Sequence, residues 1–167
     1  MALVLVSDTS ILIDLERGEI IEAAFTTTYE IAVPDLLFQR ELAPHGGARL
    51  KKLGLKVMGV DDTGVALAQQ YRIRERRLSL VDVMSLALAK RQACTLLTGD
   101  GTLRALAATE NVECHGLFWL LDVFEQQATL DLRALHDALV RIGGHPRCRL
   151  PKDELAHRVT RYKSRKH

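Results

Sequence analysis

Short apolar runs alternating with stretches of helical spacing constrain this chain more than any other feature. Ala2–Val6, Glu30–Pro34, Leu55–Val60 and Thr95–Thr98 are dominated by aliphatic and β-branched residues and are too short for helices. Ala2–Val6 and Thr95–Thr98 lack polar alternation, which predicts strands covered on both faces, as in a parallel sheet. Helices are predicted from Ile11 onward and over about Asp35–Leu42, Thr63–Tyr71, Val83–Arg91 and Thr102–Ala108, with Asn111–Cys114 as a final short strand. Gly116–Gln127 and Leu130–Ile142 read as two successive helices. Gly143-Gly144-His145-Pro146 breaks the pattern, and Pro151–Arg165 reads as a last basic helix or a frayed tail. Strands alternating with helices over the first two thirds predict an α/β sandwich around a parallel sheet. The alternation gives way to helices alone near Gln127–Thr129, so the expected division is a domain over 1–128 and a basic helical extension over 129–167.

A chain of 167 residues with 47% hydrophobic content can bury a substantial core. Its 23 basic and 21 acidic residues nearly cancel, but they are unevenly spread. From Arg141 the chain carries Arg147, Arg149, Lys152, Arg158, Arg161, Lys163, Arg165 and Lys166, opposed only by Asp153 and Glu154. That polarity suits a polyanionic partner. Cys94, Cys114 and Cys148 are odd in number and lack the paired spacing of a zinc site, so reduced thiols in a cytoplasmic protein are expected. The apolar start is too short for a leader, and no run approaches the roughly 18–20 apolar residues of a membrane span, so no membrane partner is expected.

Acidic residues mark the ends of these elements. Asp8 directly follows the first predicted strand, Asp100 follows Thr95–Thr98 within Gly99-Asp100-Gly101, and Asp82 opens the long apolar helix. In an open parallel sheet, strand C-termini and helix N-termini share one edge, where sites gather. Glu41, on the helix after the second strand, can reach the same edge. Carboxylates converging there repel one another unless a cation intervenes, and a hard cation such as Mg²⁺ or Mn²⁺ suits oxygen ligands. Phosphoryl chemistry is the natural use of such a site. No GxxxxGK[ST], HExxH or GxSxG points to another enzyme class. Each acid also has a plainer role open to it: Asp8, Asp82 and Asp100 as helix caps or dipole partners, and Glu41 as a solvated helix acid.

Four segments taken together are more specific. Val6-Ser7-Asp8-Thr9-Ser10-Ile11-Leu12-Ile13-Asp14, Val33-Pro34-Asp35-Leu36-Leu37-Phe38-Gln39-Arg40-Glu41-Leu42, Leu80-Val81-Asp82-Val83-Met84-Ser85-Leu86-Ala87 and Leu97-Thr98-Gly99-Asp100-Gly101-Thr102-Leu103-Arg104 resemble, in order and spacing, the PIN domain. The resemblance covers about 3–118 and is nearest to prokaryotic PIN proteins of the VapC-toxin kind. It implies a Rossmann-like α/β/α sandwich, a Mg²⁺ or Mn²⁺ site held by Asp8, Glu41, Asp82 and Asp100, and endonucleolytic cleavage of RNA. Ser10 and Thr98 match hydroxyl residues that support the acids. A small antitoxin that inserts into the site and a homodimer are further implied partners. Where some PIN proteins carry an additional acid, this chain has Thr102, Leu103 and Arg104. That departure implies one firmly held metal and a second only with substrate. It also keeps open a catalytically weak, nucleic-acid-binding or regulatory module. A DNA nuclease built on the same site is a third possibility.

For nucleic-acid contact the candidates are Arg74, Arg76 and Arg77, interleaved with Glu75, together with Arg104 and the basic tail. Asp14 reads as a surface or partner contact, Trp119 as core or interface packing, and the scattered histidines as uninvolved in catalysis.

Overall fold

The computed structural model describes residues 3–164. Ala2 and Arg165–His167, which carry the start of the first predicted strand and the end of the basic tail, lie outside the described residues. Five strands, β1 (Val4–Ser7), β2 (Glu30–Pro34), β3 (Lys56–Met58), β4 (Thr95–Leu97) and β5 (Cys114–His115), form one parallel sheet in the order β3-β2-β1-β4-β5. The helices are α1 (Thr9–Arg17), α2 (Ile21–Ala24), α3 (Asp35–Leu37), α4 (Gly47–Leu53), α5 (Asp62–Arg74), α6 (Leu80–Gln92), α7 (Gly101–Thr109), α8 (Leu117–Gln126), α9 (Leu132–Gly143) and α10 (Lys152–Ser164).

Successive strand residues face opposite sides of the sheet, and both sides are covered. Leu5, Ile31, Val33 and Leu97 join one core with Leu12 and Leu15 of α1, Leu120 and Phe124 of α8, Leu139 of α9 and Tyr162 of α10. Val6 and Leu96 join the other with Ala68 and Tyr71 of α5, Leu86 and Leu88 of α6 and Leu103 of α7. This two-sided burial explains the continuous apolar character of β1 and β4. Helix α6 is apolar around most of its circumference because it is enclosed: Val81, Val83, Met84, Leu86, Ala87, Leu88 and Ala89 are all buried.

Two strands, β3 and β5, begin later than expected, for the same reason at each. The Leu55 N–H bonds the Leu50 carbonyl and closes α4, so β3 starts only at Lys56. Asn111 is left-handed at φ 57° and the Val112 N–H bonds the Ala107 carbonyl, so this stretch terminates α7 and β5 begins at Cys114. The helix predicted over Asp35–Leu42 is one α-turn followed by a π-helical turn, Phe38–Leu42. Pro44, which has no N–H to continue an α-helical ladder, follows at once in a 3₁₀ turn.

The C-terminal helices lie against the same core. Arg158 makes a bidentate pair with Asp122 of α8 (2.7 and 3.1 Å), and Arg161 makes one with Glu125 (3.1 and 2.9 Å). Arg158 also lies over the Phe118 ring. Two tail arginines are thereby engaged in fastening α10 to α8. Among the described residues no helix is long and apolar enough to cross a membrane.

Candidate active site

Strand order places β1 beside β4, with β2 on the other side of β1. The chain leaves β1 and β4 in opposite lateral directions, and the crevice beyond their C-termini is the switch point where open α/β sheets build sites. Asp8 and Asp100 occupy that edge.

Asp8 is the N-cap of α1 and is only 4% exposed. Ser10 Oγ donates to its Oδ1 (2.7 Å), the Ile11 N–H donates to the same oxygen (3.2 Å), and the Thr98 hydroxyl donates to Oδ2. Each hydroxyl in turn accepts from the loop after β4: Gly99 N–H to Ser10 Oγ at 3.2 Å and Asp100 N–H to Thr98 Oγ1 at 3.0 Å. Ser10 and Thr98 therefore link Asp8 to the Asp100 loop. Burial pushes the Asp8 carboxyl up from 3.8 to about 6, against the lowering effect of these hydrogen bonds, and the nearby Asp82 charge adds to the rise.

The other acids share a pattern. Asp100 Oδ1 caps α7 by accepting from Thr102 N–H (2.8 Å) and Leu103 N–H (3.1 Å). Asp82 Oδ2 accepts from Ser79 N–H (2.9 Å) while Ser79 Oγ accepts from Asp82 N–H (3.1 Å), closing a capping box. Glu41 Oε2 accepts from the Thr9 hydroxyl, which ties the π-helical turn to the residue after Asp8. Each of these three carboxylates has one oxygen engaged and the other without a hydrogen bond among the described residues. Capping and site roles are thus compatible in one side chain. Replacing Ser79 by Ala should cost about 1 kcal/mol of stability through the lost cap and release Asp82, which urea unfolding of the variant measures.

All four acids line one cleft of about 850 Å³. Among the described residues, no three His, Cys, Asp or Glu side chains are gathered tightly enough to hold a metal by themselves. The donor set nonetheless fits a hard cation. It consists of carboxylate oxygens, three of them without hydrogen bonds among the described residues, around an acid held above its normal pKa by burial and a like charge. Water and substrate would complete the coordination, as is usual for Mg²⁺.

A family model described as "DUF3368: PIN domain" matches residues 4–164. The chain belongs to the PIN domain family. Among solved structures, a PilT N-terminus domain protein from the hyperthermophilic archaeon Sulfolobus solfataricus P2 superposes with a TM-score of 0.51 at 13% identity, covering 74% of this chain and 95% of that one. At that identity the likeness bears on fold alone. A search of the curated proteins finds no match.

The cleft of this PIN domain holds residues that local reading of the sequence did not assign to it. Beside Ser10, already expected to support the acids, Ile13, Asp14 and Arg17 line it. With Ser10 they recur at i, i+3, i+4 and i+7 on α1, so one helix face supplies them, and that spacing was the available signal. Asp14 lies 3.9 Å from Arg17 and is raised in pKa by burial. His115 stacks flat on Trp119, with centroids 4.3 Å apart and planes 6° from parallel, and both line the cleft. Trp119 also packs against the core, so the packing reading and a place in the cleft hold together.

Of the arginines proposed for nucleic acid, Arg104 lines this cleft and lies against Gly116. Arg74 pairs with Glu110 at 3.1 Å and Arg77 with Glu75 at 2.9 Å, both beside a separate hollow of about 390 Å³. Arg76 lines neither. From the C-terminal segment, Arg147, Arg149, Glu154 and Arg158 complete the cleft wall.

Proposed function

We propose that this PIN domain is a metal-dependent endoribonuclease in which Asp8, Glu41, Asp82 and Asp100 form the site. The observation that carries the reading is Asp8, a buried acid at the switch point, hydrogen-bonded from both β1 and β4 sides and facing a cleft that three further acids line. PIN domains are in general a nuclease fold, which supports phosphodiester hydrolysis as the reaction class. A hard divalent cation bound there would supply charge neutralisation on a phosphate oxygen and a lowered pKa for water.

The chain's own residues do the positioning. Ser10 and Thr98 fix both oxygens of Asp8, so the carboxylate needs little reorganisation when a substrate arrives. Asp100 and Asp82 are held by the first turns of α7 and α6, which set where their second oxygens can act. Arg104 supplies positive charge at the same cleft, suited to an anionic substrate. RNA as the substrate class follows the family resemblance of the four acidic motifs, as do a small antitoxin and a homodimer as partners.

Incubation of the purified chain with single-stranded RNA and with DNA of the same sequence tests the reading. RNA cleavage that appears with Mg²⁺ or Mn²⁺ and disappears with chelator supports it; cleavage that persists in chelator, or of DNA alone, would overturn it. A binding module without catalysis is the second reading, favoured by the looseness of the acidic cluster. Calorimetry separates the two, since such a module would take up no Mn²⁺ at this site.

A further inference from the structure

The charges along the cleft divide once internal pairs are set aside. Arg158 is committed to Asp122 and Glu154, and Arg17 to Asp14. What is left on one side is Asp8, Glu41, Asp82 and Asp100, with the exposed Arg40, unpaired among the described residues, next to Glu41 in the chain. Arg104, Arg147 and Arg149 also line the cleft, are exposed, and enter none of the ion pairs among the described residues. Arg147 and Arg149 lie between α9 and α10, far in sequence from the acids, and reach this cleft because α10 is fastened to α8. The flat His115–Trp119 pair lines the same cleft.

We infer that the segment between α9 and α10 is a substrate-binding wall: Arg147 and Arg149, with Arg104, hold backbone phosphates of a single-stranded polynucleotide whose base lies against the His115–Trp119 pair. The inference deepens the nuclease reading of the same cleft and rests on it for the direction of the strand toward the acids. Positive side chains tracking a backbone beside an aromatic ledge are the means by which proteins hold single strands without reading sequence. A cleft of about 850 Å³ is of the size that encloses a small organic ligand, which suits a few unpaired nucleotides. The two arginines are exposed, so removing their side chains takes nothing from the core.

Binding is measured by fluorescence anisotropy in chelator, on full-length protein carrying Asp8→Asn to prevent cleavage. The probe is an end-labelled single-stranded RNA of about twelve nucleotides, within the span such grooves cover, beside a duplex of equal length. Arg147→Ala with Arg149→Ala should weaken single-strand binding roughly ten-fold or more. It should also reduce the slope of log affinity against log salt by about 1.4, or about 0.7 for each lost phosphate contact. Arg147→Lys with Arg149→Lys should largely restore the slope, and Arg133→Ala, an exposed arginine of α9 outside the cleft, should leave both quantities unchanged. Trp119 is the only tryptophan in the chain, so its emission should change on binding and report the cleft directly. An unchanged salt slope, an equal loss from Arg133→Ala, or equal affinity for the duplex would overturn the inference. Failure of the nuclease reading looks different: RNA binds and responds to the loop arginines, but the wild-type chain does not cleave it with metal.

Discussion

Asp8→Asn is expected to lower metal-dependent RNA cleavage by at least about a thousand-fold, the several kcal/mol that a well-placed cation contributes in such reactions. The same substitution should stabilise the metal-free protein at neutral pH, an opposite sign that separates a site acid from a structural one. Burial raises the Asp8 carboxyl from 3.8 to about 6, so the folded chain binds this proton more tightly than the unfolded chain does. Stability therefore falls as pH rises from about 4 to about 6, and the loss persists above that window. The rise from 3.8 to about 6 corresponds to about 3 kcal/mol. Part of that gain is offset in the variant, because an amide cannot accept from the Thr98 and Ser10 hydroxyls at both of its ends. A net gain of about 1–2 kcal/mol at pH 8, vanishing near pH 4, is the expected result of urea unfolding in chelator. Added Mn²⁺ should then raise the melting temperature of the wild type and not of the variant. Cleavage by Asp8→Asn within ten-fold of wild type, or an equal Mn²⁺ shift in both, would remove Asp8 from the site.

Tyr162→Ala should be the most damaging single change in the C-terminal third, costing about 3–5 kcal/mol, as large aromatic truncations in cores do. Tyr162 is fully buried on α10 and belongs to the same core as Leu5 of β1 and Leu15 of α1. Leu135, Ala138, Leu139 and Ile142 of α9 are buried in that core as well. Domains of this size are stable by roughly 5–15 kcal/mol, so the loss would be felt throughout the chain. Lys163→Ala, at an exposed neighbouring position, should stay within about 0.5 kcal/mol. A single cooperative urea transition shifted to lower concentration is expected for Tyr162→Ala. A small early transition with the main one unmoved would instead make the residues after 128 an appendage that folds separately. Because Arg147 and Arg149 are held in place through α10, Tyr162→Ala should also weaken RNA binding by the folded chain.

The acids at the site were legible to different degrees. Asp8 and Asp100 follow buried strands directly, and Ser79 with Asp82 has the spacing of a capping box, which the structure contains. Such features arise within one turn or one strand, where side-chain period and backbone sterics act between near neighbours. Glu41 had no local signal, since it lies on a π-helical turn that hydrophobic spacing reads as ordinary helix, and its tie to Thr9 spans 32 positions. Arg74 and Arg77 stood out as a charge cluster, yet their guanidinium groups pair with Glu110 and Glu75 outside the acidic cleft.

By itself, then, the sequence determined the α/β alternation, the two-sided burial of β1 and β4, the positions of the acids at element ends and the membership of these motifs in one family pattern. Only the tertiary structure decided that β4 lies beside β1, bringing the Thr98 hydroxyl to Asp8 across 90 positions of chain. It alone decided that α10 docks on α8 and returns Arg147 and Arg149 to the cleft. Local periodicity reports which face of an element is apolar. The partner that covers that face is chosen by packing between segments far apart in the chain, which no single stretch of residues encodes.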